Sequence, residues 1–382
     1  MNAYITDIAI SLPNEAVSNE EMESVLGMVH ELPSRTKKII LRNNGIKQRF
    51  YAIAPATGQT THTNAQLAAE AVKNLKPYDN FRVEDIELLS CGTSAPDQFM
   101  PGHASMVHGE VGGNKCEIIS TAGICLSGIS CLKYAWMSVA LGLTNNAIAT
   151  GSEQSSSFMR SRMCDTVDPE RAEKLGTQPT LAFEADFLRW MLSDGGGAVF
   201  IAPEPAKDHL SLKIEWIEIL SHANEMETCM YAGAIKEADG SLRGWREFDS
   251  LQESVATNSL LVKQDAKLLN NDIIPVVINR SLPKYIEKYN LKPDEIDWFL
   301  PHYSSEYFRQ IIYDHLQEID FEIPEDRWFS NLSEKGNTGS ASIYIILEEI
   351  FKSGRLKRGD KILCFIPESG RFSVGYMMLT VV

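Results

Sequence analysis

A cysteine at the start of a predicted helix is the residue of this sequence best suited to chemistry. Cys125 lies in the run GICLSG, between Gly123 and Gly128, where an apolar strand gives way to an amphipathic helix. The N-terminus of a helix presents unpaired N–H groups and about half a positive charge, so it favours a thiolate and can lower the pKa of a cysteine. This position suits a nucleophile, but taken alone it is more often occupied by a plain buried cysteine beside packing glycines.

Two polar residues far along the chain can supply hydrogen bonds to such a nucleophile. His302 ends the apolar stretch IDWFLPH, and Asn337 in SEKGNTGS opens another predicted helix. Side chains at the carboxyl ends of buried parallel strands are often functional in α/β proteins. Taken alone, either residue is as easily structural, because a core histidine and an asparagine cap are both common.

An internal repeat brings the three residues together. EDIELLSCG resembles DEIDWFLPH, and Ile86 stands almost as far before Cys125 as Ile296 stands before Asn337. The first copy continues through the cysteine helix to NAIATGSE, and the second through TGSASIYIILEEIFKSG to GDKILCFIPESG. We therefore predict two similar α/β halves whose helix starts converge on one crevice.

The first half contains the clearest βαβ unit. Residues 116–120 and 146–150 are predicted as strands, and the pattern between them favours a buried parallel pair with a right-handed crossover. The helix between them has apolar residues at helical spacing: Ile129, Leu132, Trp136, Val139 and Leu143. The glycine-rich run SDGGGAVFIAP is predicted to close this half as a strand, since it lacks the spacing of a phosphate-binding loop. Residues 160–190 are more polar and are predicted to be an insertion over a substrate entrance.

Composition limits the class of protein. The chain has 382 residues, 44% of them hydrophobic, enough for one large domain or two ordinary ones. It has no apolar run that could span a membrane and no signal-peptide pattern, so we expect a soluble cytoplasmic protein. A net charge of −15 disfavours nucleic acid as the main partner. The seven cysteines lack CxxC pairing, which argues against a disulfide framework or a zinc module.

One basic segment stands out in this acidic chain. No acidic residue occurs between Glu31 and Glu70. Such a segment suits an acidic or phosphorylated partner, although a merely solvated surface is an equal alternative. Its basic residues are Arg35, Lys37, Lys38, Arg42, Lys47 and Arg49.

Several motifs, in the correct order, resemble those of β-ketoacyl-acyl-carrier-protein synthase III-like condensing enzymes of the thiolase superfamily. They are GIKQRF, GTSAPDQFMPG, GICLSG, LSDGGGAVFI, PHYSS, GNTGSASI and GDKILCFIPESGRFSVGYMML. The resemblance implies a thiolase-like α/β fold of two pseudo-symmetric βαβ-based halves in αβαβα layers. Residues 1–205 would carry the nucleophile, and residues 206–382 the histidine and asparagine. It also implies a homodimer paired through strands near 146–150, with no metal and no tightly bound cofactor.

The resemblance assigns roles residue by residue. Cys125 would take an acyl group from a phosphopantetheine thioester, carried by acyl carrier protein or coenzyme A. A second thioester would become a carbon nucleophile by losing CO2 or an α-proton, and His302 and Asn337 would stabilise its enolate as neutral donors. The amides of Cys125 and Gly370 would hold the oxyanion of acyl transfer.

Departures from the family pattern point to a specialised member. Leu126 is bulky where the family has a small residue, and Ser305 replaces the asparagine of an HxxN motif. Asn43 and Asn44 stand where the family has Arg-Thr, and Ile39 lies upstream in place of a tryptophan that stacks on coenzyme A. We therefore expect delivery by acyl carrier protein, docked on Lys37, Lys38, Arg42, Lys47 and Arg49. A role in secondary metabolism, in the dialkylresorcinol, flexirubin or aryl-polyene type of pathway with cyclisation to a cyclohexanedione, is the specific hypothesis.

Other functions remain open at this point. The acyl group can instead pass to an oxygen or nitrogen nucleophile, or the chain can be a non-catalytic ketosynthase partner subunit. A papain-like hydrolase also uses cysteine, histidine and asparagine, but the CGSCW context is absent. A thiolase needs a second catalytic cysteine in a CxGxG-like loop, whereas Cys364 lies in CFIPESG.

Overall fold

The computed structural model describes residues 2–31, 33–34, 36–164 and 187–382. Over these residues the strands are β1 Tyr4–Ser11, β2 Val17–Ser18, β3 Gln48–Arg49, β4 Leu88–Thr93, β5 Glu117–Ala122, β6 Ala147–Glu153, β7 Gly195–Ala202, β8 Leu212–Ser221, β9 Met230–Tyr231, β10 Ala234–Lys236, β11 Leu242–Gly244, β12 Lys263–Gln264, β13 Trp298–Pro301, β14 Lys361–Glu368 and β15 Ser373–Val381. The α-helices are α1 Met22–Leu26, α2 Lys37–Asn44, α3 Asn64–Lys73, α4 His103–Val111, α5 Leu126–Ala140, α6 Ser156–Met159, α7 Ser161–Cys164, α8 Leu251–Ala256, α9 Ala266–Ile274, α10 Leu282–Tyr289, α11 Tyr307–Glu318, α12 Leu332–Lys335 and α13 Ser342–Lys352.

The main sheet consists of two arms with the same topology. The first arm has the order β5-β4-β6-β7-β1, and the second has the order β13-β14-β15-β8. The first arm has three parallel strands, β5, β4 and β6, and the second has two, β13 and β14; antiparallel strands follow in both arms. A parallel bridge from Phe299 to Trp328 occupies the place in the second arm that β5 has in the first. The arms meet where β1 pairs briefly with β8, so the predicted repeat is visible in the strand order.

Three apolar cores divide the molecule into layers. Strand residues alternate between cores: Ile148 faces the core under α3 and α4, whereas its neighbours Ala147 and Ala149 face α5 and α13. On the second arm, Ile362 faces the same central core and Leu363 faces the core under α9, α10 and α11. Helices α5 and α13 therefore lie between the two arms, in the predicted αβαβα arrangement.

Glycines let the central helices and strands approach closely. A Cβ built on Gly128 of α5 would lie 2.2 Å from the carbonyl oxygen of Ser340, and one on Gly151 of β6 would lie 2.3 Å from it. Ser340 belongs to a 3-10 turn, Gly339–Ala341, that leads into α13. In β7, a Cβ on Gly196 would lie 2.4 Å from the Leu67 carbonyl oxygen. The glycine-rich run is thus a tightly packed strand, as predicted, and the backbone of one half touches that of the other.

Details of the first arm differ from the sequence-based prediction. β5 and β6 are not neighbours, because β4 lies between them and pairs in parallel with both. The predicted parallel pair is therefore wrong, and the pairs are β4–β5 and β4–β6. Leu143 lies beyond the end of α5 and is exposed. The boundary between residues 205 and 206 falls between β7 and β8 and stays a prediction.

The suggested subunit contact near residues 146–150 is also wrong. β6 is hydrogen-bonded to β4 on one side and to β7 on the other, so neither edge is free for another chain. β5 is the edge strand of the first arm in the described part of the chain.

Among the described residues, no helix combines the length and apolar character needed to cross a bilayer.

Candidate active site

A cavity of about 390 Å³ lies where the two halves meet. Cys125, His302, Asn337 and Gly370 all line it, so the structure brings together the four residues singled out from the sequence. Most of the remaining wall is apolar and includes Phe158, Leu188, Met191, Met230, Ile273 and Phe308. An apolar wall with a few convergent polar groups is typical of a small-molecule site.

Cys125 is positioned by the turn that joins β5 to α5. Ser127 N–H donates to the carbonyl oxygen of Ile124 at 3.1 Å, and Thr121 Oγ1 donates to the Ser127 carbonyl at 2.7 Å, so the turn is tied to both elements. Burial raises the pKa of the Cys125 thiol, and the carboxylates of Glu368 and Glu153 raise it further. The predicted lowering by the helix N-terminus is therefore wrong for the free enzyme, which holds a protonated thiol.

His302 follows directly after β13. Its backbone N–H donates to the carbonyl oxygen of Phe365 in β14 at 2.8 Å, which fixes the chain at the end of the sheet. Burial lowers the pKa of the His302 imidazole to about 4. The ring is thus neutral near pH 7 and carries one N–H that can donate a hydrogen bond into the cavity.

Asn337 is clamped through its backbone. Its N–H donates to the Met191 carbonyl at 3.0 Å, and its own carbonyl accepts from Ser193 N–H at 2.8 Å. The side-chain oxygen accepts from Gly339 N–H at 3.0 Å. With Oδ1 engaged in this way, the Nδ2 group is left to donate toward the cavity.

Two backbone amides complete the set of donors. Within the described residues, neither Cys125 N–H nor Gly370 N–H donates to a protein acceptor. The Gly370 carbonyl accepts from Cys229 N–H at 2.9 Å, which holds the loop after β14 in place. Both amides lie in residues that line the cavity, as an oxyanion site requires.

Sequence reasoning missed two carboxylates beside Cys125. Glu153 ends β6 and accepts hydrogen bonds from Ser94 N–H, Ser94 Oγ and Ser340 N–H. Glu368 ends β14 and accepts from Ile124 N–H and Leu126 N–H, both at 3.0 Å. Burial raises the pKa of both carboxyl groups. The repeat carries the signal that could have revealed them, since GSE and IPE end equivalent strands.

Comparisons with known proteins agree with this geometry. Residues 286–379 match the family model for the C-terminal part of 3-oxoacyl-[acyl-carrier-protein] synthase III. The β-ketoacyl-[acyl-carrier-protein] synthase III of Microcystis aeruginosa is 25% identical over 372 residues, covering 94% of this chain and 91% of the relative. The enzyme of the same name from Porphyra purpurea is 25% identical over 366 residues, covering 95% and 94%.

Over almost its whole length, this chain therefore resembles the synthase III-like condensing enzymes of the thiolase superfamily.

Solved structures confirm the thiolase-like fold of this synthase III-like chain. AbyA1, a tetronic acid condensing enzyme, aligns with a TM-score of 0.75 at 19% identity and covers 99% of both chains. OleA of Xanthomonas campestris, with lauric acid and lauroyl-CoA bound, aligns at 0.74 with 18% identity and covers 100% of this chain and 99% of its own. FabH of Pseudomonas aeruginosa aligns at 0.70 with 18% identity, covering 100% and 98%.

The residues of the basic segment differ in how far they are exposed to solvent. Lys38, Arg42 and Lys47 are exposed on and after α2. Lys37 is paired with Glu23 at 3.0 Å, with 16% of its side chain exposed. Arg35, also part of this segment, lies outside the described residues.

Arg49 is the interior member of the segment, and it is fully buried. It donates to the Trp190 carbonyl at 2.7 Å and to the Asn19 side chain at 2.5 Å. Arg49 is therefore a structural residue, and its predicted part in carrier docking is wrong.

The departures from the family pattern have structural roles. Leu126 does not line the cavity but packs against Gly375 of β15 in the central core. Ser305 donates to the Asn43 carbonyl at 3.3 Å and thereby ties the histidine loop to the end of α2. Asn44 is buried and donates to the Trp190 carbonyl at 2.8 Å.

Two methionines and the predicted insertion differ in their relation to the cavity. Met230 lines the cavity, whereas Met100 is 83% exposed and does not. Most of the predicted insertion at 160–190 lies outside the described residues, but Leu188, near its end, lines the cavity.

Proposed function

We propose that this enzyme joins two acyl thioesters by a Claisen-type condensation on Cys125. The observation that supports this is the convergence of one thiol, one neutral imidazole and one primary amide from two halves of the molecule on a single apolar cavity. A hydrolase needs a water-accessible acyl-enzyme, whereas an apolar wall protects a thioester intermediate and accommodates an alkyl chain.

The first half-reaction is acyl transfer to sulfur. The Cys125 sulfur attacks the carbonyl carbon of the donor thioester, and the oxyanion accepts hydrogen bonds from the Cys125 and Gly370 amides. The phosphopantetheine thiolate leaves and takes up the proton that the Cys125 thiol has released. Because the thiol is protonated in the free enzyme, this proton transfer belongs to the acylation step itself.

The second half-reaction forms the carbon–carbon bond. A second thioester becomes the carbon nucleophile in one of two ways. A thioester with a carboxyl group on its α-carbon loses CO2, or an acyl or β-ketoacyl thioester passes an α-proton to the Glu153 carboxylate, which lines the cavity. In both cases negative charge builds on the thioester carbonyl oxygen. His302 and Asn337 donate N–H groups to that oxygen without adding a fixed positive charge. The carbanion attacks the acyl carbonyl and expels the Cys125 thiolate, which takes a proton from Glu153 or, after loss of CO2, from water.

We propose acyl carrier protein as the donor, with coenzyme A as the minor alternative. Lys38, Arg42 and Lys47 give α2 and the segment after it an exposed basic surface in a chain with a net charge of −15. Replacing all three residues with glutamate would repel an acidic carrier, so it is expected to raise the KM for a carrier-bound donor on the order of tenfold. The KM for the matching coenzyme A thioester is expected to stay unchanged, and steady-state kinetics with both donors measure the difference.

A matched variant tests whether this effect is local. Lys73, Lys76 and Lys207 are exposed lysines in and around α3. Replacing these three lysines with glutamate changes the net charge by the same amount, and it is expected to leave the KM for both donors near the wild-type value. Equal losses from the two triple variants would refute docking on α2.

We also propose a homodimer, formed at β5 rather than at the strands near 146–150. β5 is an edge strand with mostly exposed side chains. Phe99 and Met100, in the loop after β4, are 77% and 83% exposed. Pairing of two β5 edges would extend the sheet across the two subunits, and it would cover exposed apolar side chains such as those of Phe99 and Met100.

The specific pathway is a proposal that product analysis tests. Dialkylresorcinol or flexirubin-type metabolism requires a new carbon–carbon bond between two chains, followed by closure to a cyclohexanedione. The enzyme is incubated with an acyl-carrier donor and a β-ketoacyl-carrier acceptor carrying 13C at the reacting carbon, and the product is analysed by tandem mass spectrometry and NMR. A 13C–C bond supports condensation, and an ester or amide supports acyl transfer to oxygen or nitrogen. The absence of any acylation supports a non-catalytic partner subunit.

Two further expectations from the sequence stay predictions. They are a cytoplasmic location and a division into two halves at residue 205.

A further inference from the structure

The two missed carboxylates occupy equivalent places in the repeat and act across it. Glu153 ends β6 of the first arm and accepts Ser340 N–H, in the turn that leads into α13 of the second half. Glu368 ends β14 of the second arm and accepts two N–H groups at the start of α5 of the first half. Each carboxylate therefore caps the central helix of the opposite half.

Glu368 contacts the backbone on both sides of Cys125. A single oxygen, Oε2, accepts the N–H of Ile124 and the N–H of Leu126, both at 3.0 Å, and these residues flank Cys125 on either side. The Cys125 N–H between them remains available. A carboxylate at a helix N-terminus offsets the partial positive charge that would otherwise favour a thiolate.

We propose that Glu368 is a positioning residue that orients the Cys125 amide through its two neighbours and favours the thiol over the thiolate at Cys125. This inference rests on the proposed function, because it explains how a nucleophile in an apolar cavity avoids reaction with other electrophiles. It adds a residue for which the family motifs give no role.

Glu368 itself does not line the cavity, and the charged or titratable groups that do line it remain when Glu368 is changed. They are Glu153 at the end of β6, Tyr231 in β9, His302 and Tyr303 after β13, and Arg371 after β14. Burial and the Glu153 carboxylate continue to act on the thiol in any Glu368 variant. A Glu368 variant therefore isolates one contribution rather than converting Cys125 into a free thiol.

The test is the pH dependence of alkylation at Cys125. Glu368→Gln keeps an oxygen that can accept both N–H groups and removes the negative charge. The rate of iodoacetamide modification follows the thiolate fraction. A like charge this close typically shifts a pKa by at least about one unit, so the E368Q profile is expected to move to lower pH by about that amount, with an approximately tenfold faster rate at neutral pH. Peptide mass spectrometry quantifies modification at Cys125 alone.

Controls separate charge, fold and site. Glu15→Gln removes an exposed carboxylate and is expected to keep the wild-type profile. If E368Q does not fold, the same experiment is done with Glu368→Ala and Glu368→Asp. The alkylation profile of the neutral alanine variant is expected to shift to lower pH, and that of the charged aspartate variant to shift less. A folded neutral variant whose profile superimposes on the wild type would overturn the proposal. Because alkylation needs no acyl donor, a wild-type enzyme that is never acylated would refute the proposed function without affecting this result.

Discussion

A Cys125→Ala variant is expected to take up no acyl group, whereas His302→Ala and Asn337→Ala variants are expected to be acylated and then to stall. The thiol is the only one of the three groups that forms a bond to the acyl carbon. The imidazole and the amide act on the enolate of the second substrate, and loss of one such donor costs about 2.7–4 kcal/mol, or about a hundredfold to a thousandfold in kcat. Intact-mass spectrometry after mixing with acyl carrier protein thioesters measures acylation, and product formation measures condensation.

The control for this experiment is a second cysteine outside the cavity. Cys116 is partly exposed just before β5 and does not line the cavity. Cys116→Ala is expected to be acylated and to condense like the wild type. An acyl adduct on Cys125→Ala, or an Asn337→Ala variant that condenses at the wild-type rate, would contradict the assigned roles.

Gly128→Ala is expected to destabilise the protein strongly although it adds a single methyl group. The new Cβ would lie 2.2 Å from the Ser340 carbonyl oxygen, which belongs to backbone and cannot rotate away. Overpacking in a core typically costs about 1–3 kcal/mol. Relief requires movement of the turn that carries Ser340, and Asn337 closely precedes that turn, so condensation activity is expected to fall as well. Urea unfolding followed by circular dichroism measures the loss of stability.

Gly109→Ala is the matched control, because Gly109 also lies inside a helix, α4. A Cβ added at Gly109 would have no other atom within 4 Å, apart from its chain neighbours and the backbone of its own helix. Alanine is favoured over glycine in a helix by about 0.5–1 kcal/mol, so this variant is expected to be slightly more stable than the wild type. Similar changes in both variants would show that the close contact at Ser340 does not limit stability.

The parts of the fold that were predictable are those with local signals. An acidic cluster, an isoleucine and an apolar run occur twice, and both copies became the parallel strands β4 and β13. Cys125, His302 and Asn337 stand at boundaries between elements, where residue type and position are readable from the sequence. Their convergence followed from the repeat, because equivalent ends of two packed halves face one crevice.

The parts that were not predictable depend on distant partners. Arg49 and Lys47 are two residues apart in one basic segment, yet one is buried and the other exposed, because only the fold brings the Trp190 carbonyl to Arg49. The pKa of Cys125 was misjudged for the same reason. A helix N-terminus is visible in the sequence, but burial of the thiol, which raises its pKa most, and the Glu368 carboxylate, which raises it further, both depend on the packing of distant segments. Strand order within an arm is likewise a tertiary property, and β4 entered between β5 and β6 without any local sign.

The crosswise caps have a consequence for how the molecule folds. The amides at the start of α5 find their acceptor in Glu368, and Ser340 N–H before α13 finds its acceptor in Glu153. A fragment containing one half would lack the acceptors of these N–H groups, and it would expose to water the apolar face that its central helix packs against the other half. The two halves, although they resemble a duplicated unit, are therefore expected to behave as one cooperative folding unit, in which neither copy reaches its native state before the other has docked.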